Sequence, residues 1–140
     1  MAEAITDSPN PWVADHIRRF VESGGNPRPG VNDLLMTTRG RRSAKLRRTV
    51  LVYACDGDRY VVVASNAGAD RHPAWYLNLV ADPHVTVQVG TRVLEARART
   101  ATADEVPRLW QLMVEAMPSY QRYRQATARD IPVVIIEPSS

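Results

Sequence analysis

The chain is short of the usual chemical apparatus. It has one cysteine, Cys55, so an internal disulfide is excluded and a reducing, cytoplasmic compartment is expected. Cys55 lies between strand-like residues and reads as a buried thiol rather than a nucleophile. No apolar run approaches the ~18 residues of a membrane span. No cationic stretch leads into an apolar one near residue 1, so no signal peptide is expected. The three histidines, His16, His72 and His84, show no metal-ligand spacing, and with no Cys/His cluster no metal site is expected. There is no Gly-x-Ser-x-Gly elbow, no Ser/His/Asp order, no Gly-x-Gly-x-x-Gly and no Walker motif. The chain thus lacks an evident acid–base or nucleophilic engine. If it is an enzyme, a cofactor supplies the chemistry.

What is present reads as one domain. At 140 residues, 44% apolar and 24% charged, the chain can bury a proper core, and its formal net charge of +3 does not by itself demand nucleic acid. Residues 1–9 read as a loose tail. Asn10 and Pro11 open a helix that Val13, Ile17, Phe20 and Val21 make amphipathic and Gly24-Gly25 ends. Trp12 and Trp110 read as packing residues on helix faces. The division is an N-terminal tail and helix, 1–30, and a domain, 31–140.

From residue 33 strands dominate. Leu34 to Thr38, Thr49 to Ala54 and Arg59 to Ser65 are β-rich, with Asp56-Gly57 as a hairpin turn. Val61-Val62-Val63 suggests burial on both faces. Asp70 would cap a short helix from about 72 to 81. Val85, Val87 and Val89 alternate with polar residues, and Gly90-Thr91 turns into a partner strand that carries Leu94, Ala96 and Ala98. Thr102 and Glu105 form a capping box for a helix with Val106, Leu109, Trp110 and Met113 on one face, broken at Pro118. Ile131 to Ile136 is a final buried strand. Short turns imply mainly antiparallel pairing. The expected class is α+β, mainly β: a small barrel of about six strands with flanking helices.

The most informative stretch is Arg39-Gly40-Arg41-Arg42-Ser43-Ala44-Lys45-Leu46-Arg47-Arg48, in which six of ten residues are cationic. Guanidinium forks suit phosphate or carboxylate. The same stretch could be a solvated charge run or could meet nucleic-acid phosphates, but few aromatics interleave with its cations, which counts against nucleic acid. Downstream, Ser65 to Gly68 is a turn of small residues able to show backbone N–H groups to a ligand. Trp75, Tyr76, Tyr120 and Tyr123 are partly polar aromatics of the kind that line pockets for flat ligands.

Taken together, Thr37 to Ser43, Val63 to Gly68, Pro73 to Leu79 with Asp82-Pro83, and Pro118 to Tyr123 running up to Ile131-Pro132-Val133 resemble the deazaflavin-dependent nitroreductase family, in order and in register over about residues 31–138. The resemblance implies a split β-barrel, the deazaflavin coenzyme F420, and hydride transfer to a small-molecule acceptor, quinone-like or nitroaromatic. It implies that Arg41, Arg42, Ser43 and Arg47 hold the phosphate and acidic tail, and that Thr49, Val50, Ser65, Asn66 and Trp75 border the ring. Val52, Trp75, Met117, Tyr120 and Tyr123 would form the acceptor pocket, with Ser65, Tyr120 and Tyr123 as the catalytic candidates. Asn66 stands where a nitroreductase of the family has lysine, and Val52 and Met117 where it has tyrosines. Two other readings stay open: an FMN enzyme on the same barrel, and a non-catalytic module that carries a cofactor or binds nucleic acid. The N-terminal helix, with Trp12, Ile17, Phe20, Arg18 and Arg19, would suit a membrane surface, the barrel wall or a homodimer partner.

Overall fold

The computed structural model describes residues 4–7 and 10–139. Asn10 caps helix α1 (Pro11–Glu22) by accepting the Trp12 N–H at 2.9 Å, with Pro11 in the first turn. Strands β1 (Asp33–Arg39) and β2 (Leu46–Val52) flank the basic loop. β3 (Ala54–Asp56) and β4 (Arg59–Val63) form the expected hairpin. Helix α2 (Ala74–Ala81) is followed by the hairpin of β5 (His84–Val89) and β6 (Arg92–Thr100). Helices α3 (Val106–Ala116) and α4 (Ser119–Ala126) precede β7 (Val133–Pro138).

The strands form one sheet in the order β2-β1-β5-β6-β7-β4-β3, with every neighbouring pair antiparallel. Its two edge strands, β2 and β3, are successive pieces of one bent stretch of chain. They meet at Tyr53, whose N–H turns away to the Asn32 carbonyl at 2.9 Å. This bend curls the sheet into a split barrel. It also makes seven strands of the expected six, because the run through residue 54 breaks in two.

Two apolar layers result. Leu34, Met36, Val62, Val85, Val87, Val134 and Ile136 pack under Leu79 of α2. Val61, Val63, Val133 and Ile135 pack under Leu109, Trp110 and Met113 of α3. The Val61 to Val63 run is buried on both faces because it faces each layer in turn. Helix α1 adds Ile17 and Phe20 against Leu35 and Val50 on the far side of β1 and β2.

Five expectations need correction. Cys55 is exposed, because β3 is an edge strand with one open face. Trp12 is 84% exposed, in the first turn of α1 and outside the cluster that Ile17 and Phe20 form. Asp70 does not cap α2, which starts at Ala74 with the Pro73 carbonyl accepting the Tyr76 N–H at 3.1 Å. Only half of the capping box forms: Glu105 accepts the Thr102 N–H at 2.8 Å, while no side chain caps α3. The tail is not loose at residues 5–7. Ile5 forms a parallel bridge with Leu46, and the Thr6 N–H donates to the Leu46 carbonyl at 2.8 Å, extending the sheet past its open β2 edge. Residues 1–3 and 8–9 lie outside the described residues.

Candidate cofactor and acceptor site

The basic loop is built rather than slack. Gly40 and Ala44 close it: the Gly40 N–H donates to the Lys45 carbonyl at 2.7 Å and the Ala44 N–H to the Gly40 carbonyl at 2.8 Å. A Cβ on Gly40 would stand 2.6 Å from Ser43 Oγ and would displace that hydroxyl, which accepts the Lys45 N–H at 3.2 Å. Asn78 of α2 then pins the loop to the barrel. Its Oδ1 accepts from the Arg41 backbone N–H at 3.1 Å and from Arg41 Nη1 at 3.2 Å, while its Nδ2 donates to Thr38 Oγ1 at 3.3 Å. Asn78 is buried, so its amide is committed to these bonds.

Between loop, β2 and α2 lies a cavity of about 460 Å³. Its walls include Arg41, Arg42, Ser43, Arg47, Arg48 and Thr49, with Trp75 as the large aromatic surface. Arg41 and Arg42 have no carboxylate partner among the described residues. Arg47 donates to the Thr6 and Asp7 carbonyls at 3.3 and 3.4 Å, and Arg48 is held by both oxygens of Asp7. A space lined by four guanidinium groups, with one carboxylate in contact with them among the described residues, suits an anion.

The other expected site residues divide into two places. Val50 does not line this cavity: strand alternation turns Thr49 toward it and Val50 toward α1. Ser65 and Asn66 stand in the turn after β4. Ser65 is buried, and its carbonyl accepts from the Gly68 N–H at 2.9 Å and from Arg129 Nη2 at 2.7 Å. Asn66 is exposed at a positive φ of 48° and donates to the Arg71 carbonyl at 3.0 Å. Val52 and Tyr120 belong to the core under α3, with Met117 and Tyr123 packed against them. The Tyr120 and Tyr123 rings meet edge to face at 6.1 Å. Burial, with Tyr123 nearby, pushes the Tyr120 hydroxyl up to about 12. The turn and the tyrosines are neighbours, since a Cβ on Gly68 would stand 3.1 Å from the Tyr123 carbonyl.

Three residues with evident roles were not singled out from the sequence: Asp7, Asn78 and Arg129. Asn78 lies three residues after Trp75, one helical turn on, so the two share a face of α2. That spacing could have found it. Arg129 clamps the Ser65 turn through Ser65, Ala69 and His72, a contact across more than 55 positions that no local pattern announces. Among the described residues no cluster could hold a metal ion, and no helix is long and apolar enough to cross a membrane.

The family model for F420H(2)-dependent quinone reductase matches residues 12–138. An F420H(2)-dependent quinone reductase of Mycobacterium tuberculosis is 40% identical over 106 residues, 74% of this chain and 71% of that one. The solved structure of an F420-H2 dependent reductase, FDR-A, superposes with a TM-score of 0.70 at 34% identity, over 97% of this chain and all of that one. A second, described as a domain-swapped dimer, gives 0.72 at 38% identity over 93% of this chain and all of that one. A haem storage protein of Vibrio cholerae shares the fold at 13% identity, with a TM-score of 0.61 over 91% of each chain. With the split barrel, the arginine-lined cavity and the match over nearly the whole chain in hand, this protein belongs to the F420H(2)-dependent quinone reductase family, oxidoreductases whose cofactor is coenzyme F420.

Proposed function

We propose that this protein reduces a quinone-like acceptor with hydride from reduced F420. The observation that carries the reading is the cavity beside Trp75, where Arg41 and Arg42 stand without a carboxylate partner among the described residues. Arg41, Arg42, Ser43 and Arg47 would hold the phosphate and acidic tail. Each charge-assisted hydrogen bond there contributes about 1.5–3 kcal/mol. Thr49 and Trp75 would flank the ring, with Val50 supporting β2 from behind. The cofactor's chemistry, when bound, is two-electron hydride donation.

The chain's own part is placement. The Ser65 turn, with Asn66, would set the edge of the ring site, held by Arg129. Val52, Met117, Tyr120 and Tyr123, with Trp75, would enclose a flat acceptor and exclude water. Tyr120, protonated at neutral pH, can give a proton from its hydroxyl, with Ser65 and Tyr123 as neighbouring donors. Positioning of this kind is worth several kcal/mol of barrier.

The test is a fluorescence titration of the purified protein with F420, followed by turnover of F420H2 with menadione. Saturable binding at micromolar cofactor and menadione-dependent oxidation are expected. Failure to bind would end the reading.

A cytoplasmic location belongs to the same reading, on the chain's single cysteine. Exposed Trp12 gives α1 a side chain suited to a membrane surface, which liposome sedimentation with and without residues 1–25 would detect. The domain-swapped neighbour makes a homodimer the matching proposal for solution, to be read by light scattering.

A further inference from the structure

A second cavity, of about 610 Å³, shares no lining residue with the arginine-lined one. Consecutive residues of α2 divide the two. Trp75 lines the first and Tyr76 the second, and their rings meet edge to face at 6.3 Å. The second cavity is walled by the end of β6 at Thr100, by Val106 and Trp110 of α3, and by the chain from Arg124 of α4 to the start of β7. Its volume is that of a small-molecule site, and the hydride transfer proposed above does not use it.

Two guanidinium groups line it, each fixed in a different way. Arg129 donates from Nε to the Ala69 carbonyl at 2.8 Å, from Nη2 to the Ser65 carbonyl at 2.7 Å and from Nη1 to His72 Nδ1 at 3.0 Å. A guanidinium only donates, so His72 accepts through Nδ1 and its ring is uncharged. Three of the five Arg129 N–H groups are committed and two are left. Arg124 is held by its face. Its guanidinium lies 4.8 Å from the Trp110 ring centroid, and the indole is itself fixed, donating from Nε1 to Gln121 Oε1 at 3.0 Å. Stacking leaves the in-plane N–H groups unused. Among the described residues Arg124 makes no hydrogen bond or ion pair, and Asp130, which also lines the cavity, pairs with neither arginine.

We propose that this cavity binds a flat aromatic carboxylate, its charge held by Arg124 and Arg129 and its ring by the apolar lining. Two guanidinium groups against one carboxylate, Asp130, leave a single positive charge, which suits a carboxylate better than a doubly charged phosphate. Val106, Ile131 and Pro132 offer apolar surface for the ring. Tyr76 offers an aromatic face whose hydroxyl is already satisfied by Thr100 Oγ1 at 2.8 Å, with the His72 ring beside it at 5.1 Å. Both guanidinium groups are in place before a ligand arrives, so little ordering is needed on binding. The site stands whether or not F420 occupies the other cavity.

The experiment is a calorimetric titration of the full chain with naphthoate. One saturable site in the micromolar range is expected. Methyl naphthoate, which keeps the ring and loses the charge, and inorganic phosphate, which has charge and no ring, should each bind at least tenfold more weakly. Arg124→Gln should weaken naphthoate binding at least tenfold with the melting temperature nearly unchanged, since this side chain is exposed. Ala103→Trp, which adds an indole to the cavity lining, should abolish binding. Arg41→Ala with Arg42→Ala should leave it intact. No saturation below millimolar naphthoate, an ester that binds as tightly as the acid, or wild-type affinity in Arg124→Gln and Ala103→Trp would overturn the proposal. So would loss of binding in the Arg41 and Arg42 variant, which would move naphthoate to the other cavity. A protein that takes naphthoate as expected and fails to bind F420 would remove the functional reading above and keep this site.

Discussion

Asp7 grips Arg48 with both carboxylate oxygens, at 2.9 and 2.6 Å, across 41 positions of sequence. The pair is half-buried at the rim of the arginine-lined cavity, and the neighbouring Arg47 donates to backbone carbonyls of the same segment. The chain thus carries its own carboxylate beside the site proposed for the cofactor's acidic tail.

A carboxylate at that distance from an incoming polyanion opposes it. Asp7→Asn should therefore tighten F420 binding about threefold to tenfold, with the gain shrinking as salt rises. Fluorescence titration at two ionic strengths checks this. Weaker binding by the variant would mean that Asp7 instead holds Arg48 in its binding pose.

Among the described residues, Arg41 and Arg42 have no carboxylate partner. Replacing both with alanine should weaken F420 binding at least a hundredfold, from about 1.5–3 kcal/mol for each charge-assisted bond. The melting temperature should move by no more than a degree or two, since exposed side chains without ion pairs contribute little to folding. Equal affinity in wild type and variant would take the loop out of the site.

Asn78 tests whether the loop must be held as well as charged. Asn78→Leu removes its bonds to Arg41 and leaves the Thr38 hydroxyl in a buried place without its partner. A loss of about 1–3 kcal/mol in stability is expected, together with weaker cofactor binding. Calorimetry and titration on one preparation read both. Unchanged affinity would show that the arginines find the anion without a fixed loop.

Much of this arrangement was legible in the chain. The β-branched run from Thr49, the alternation of Val85, Val87 and Val89, and the Asp56-Gly57 turn announced strands because side-chain period and turn chemistry are local properties. The cationic stretch announced an anion site because six charges on ten residues need a counter-ion or water. That Val50 faces α1 rather than the cavity was not legible, because position in a family motif does not say which face of the strand a residue takes. Cys55 was misjudged because an edge strand and a central one look alike in sequence. The contacts of Asp7 with Arg48 and of Arg129 with the Ser65 turn stayed hidden because each is a meeting of distant segments that no short pattern announces.

Acid should loosen the β3 edge. Arg108 of α3 and Arg59 of β4 both donate to Asp56, and they hold its carboxyl down to about 2. The folded pKa is lower than the unfolded one near 4, so this group stabilises the fold above about pH 4 and ceases to do so as pH falls toward about 2. Asp56→Asn should flatten the drop in melting temperature between pH 4.5 and about 2.5 while costing some stability at pH 7. A variant that tracks the wild type through that window would show that this clasp contributes nothing.

The N-terminal helix is anchored at one close approach. Gly25, at φ +89°, lies against Gly90 in the β5–β6 turn, and a Cβ on it would stand 2.1 Å from the Gly90 carbonyl oxygen. Both atoms are constrained by backbone, so the contact cannot be relieved by a side-chain rotation. Gly30 separates this effect from conformation alone: its φ is +87°, yet nothing lies within 4 Å of its Cβ position. Gly30→Ala should cost only the left-handed backbone term, about 1–2 kcal/mol. Gly25→Ala should cost that and the clash, with a visibly larger fall in melting temperature and looser packing of α1 in hydrogen exchange at Ile17 and Phe20. Equal losses at the two glycines would mean that the hairpin turn yields, and that α1 is not seated on it.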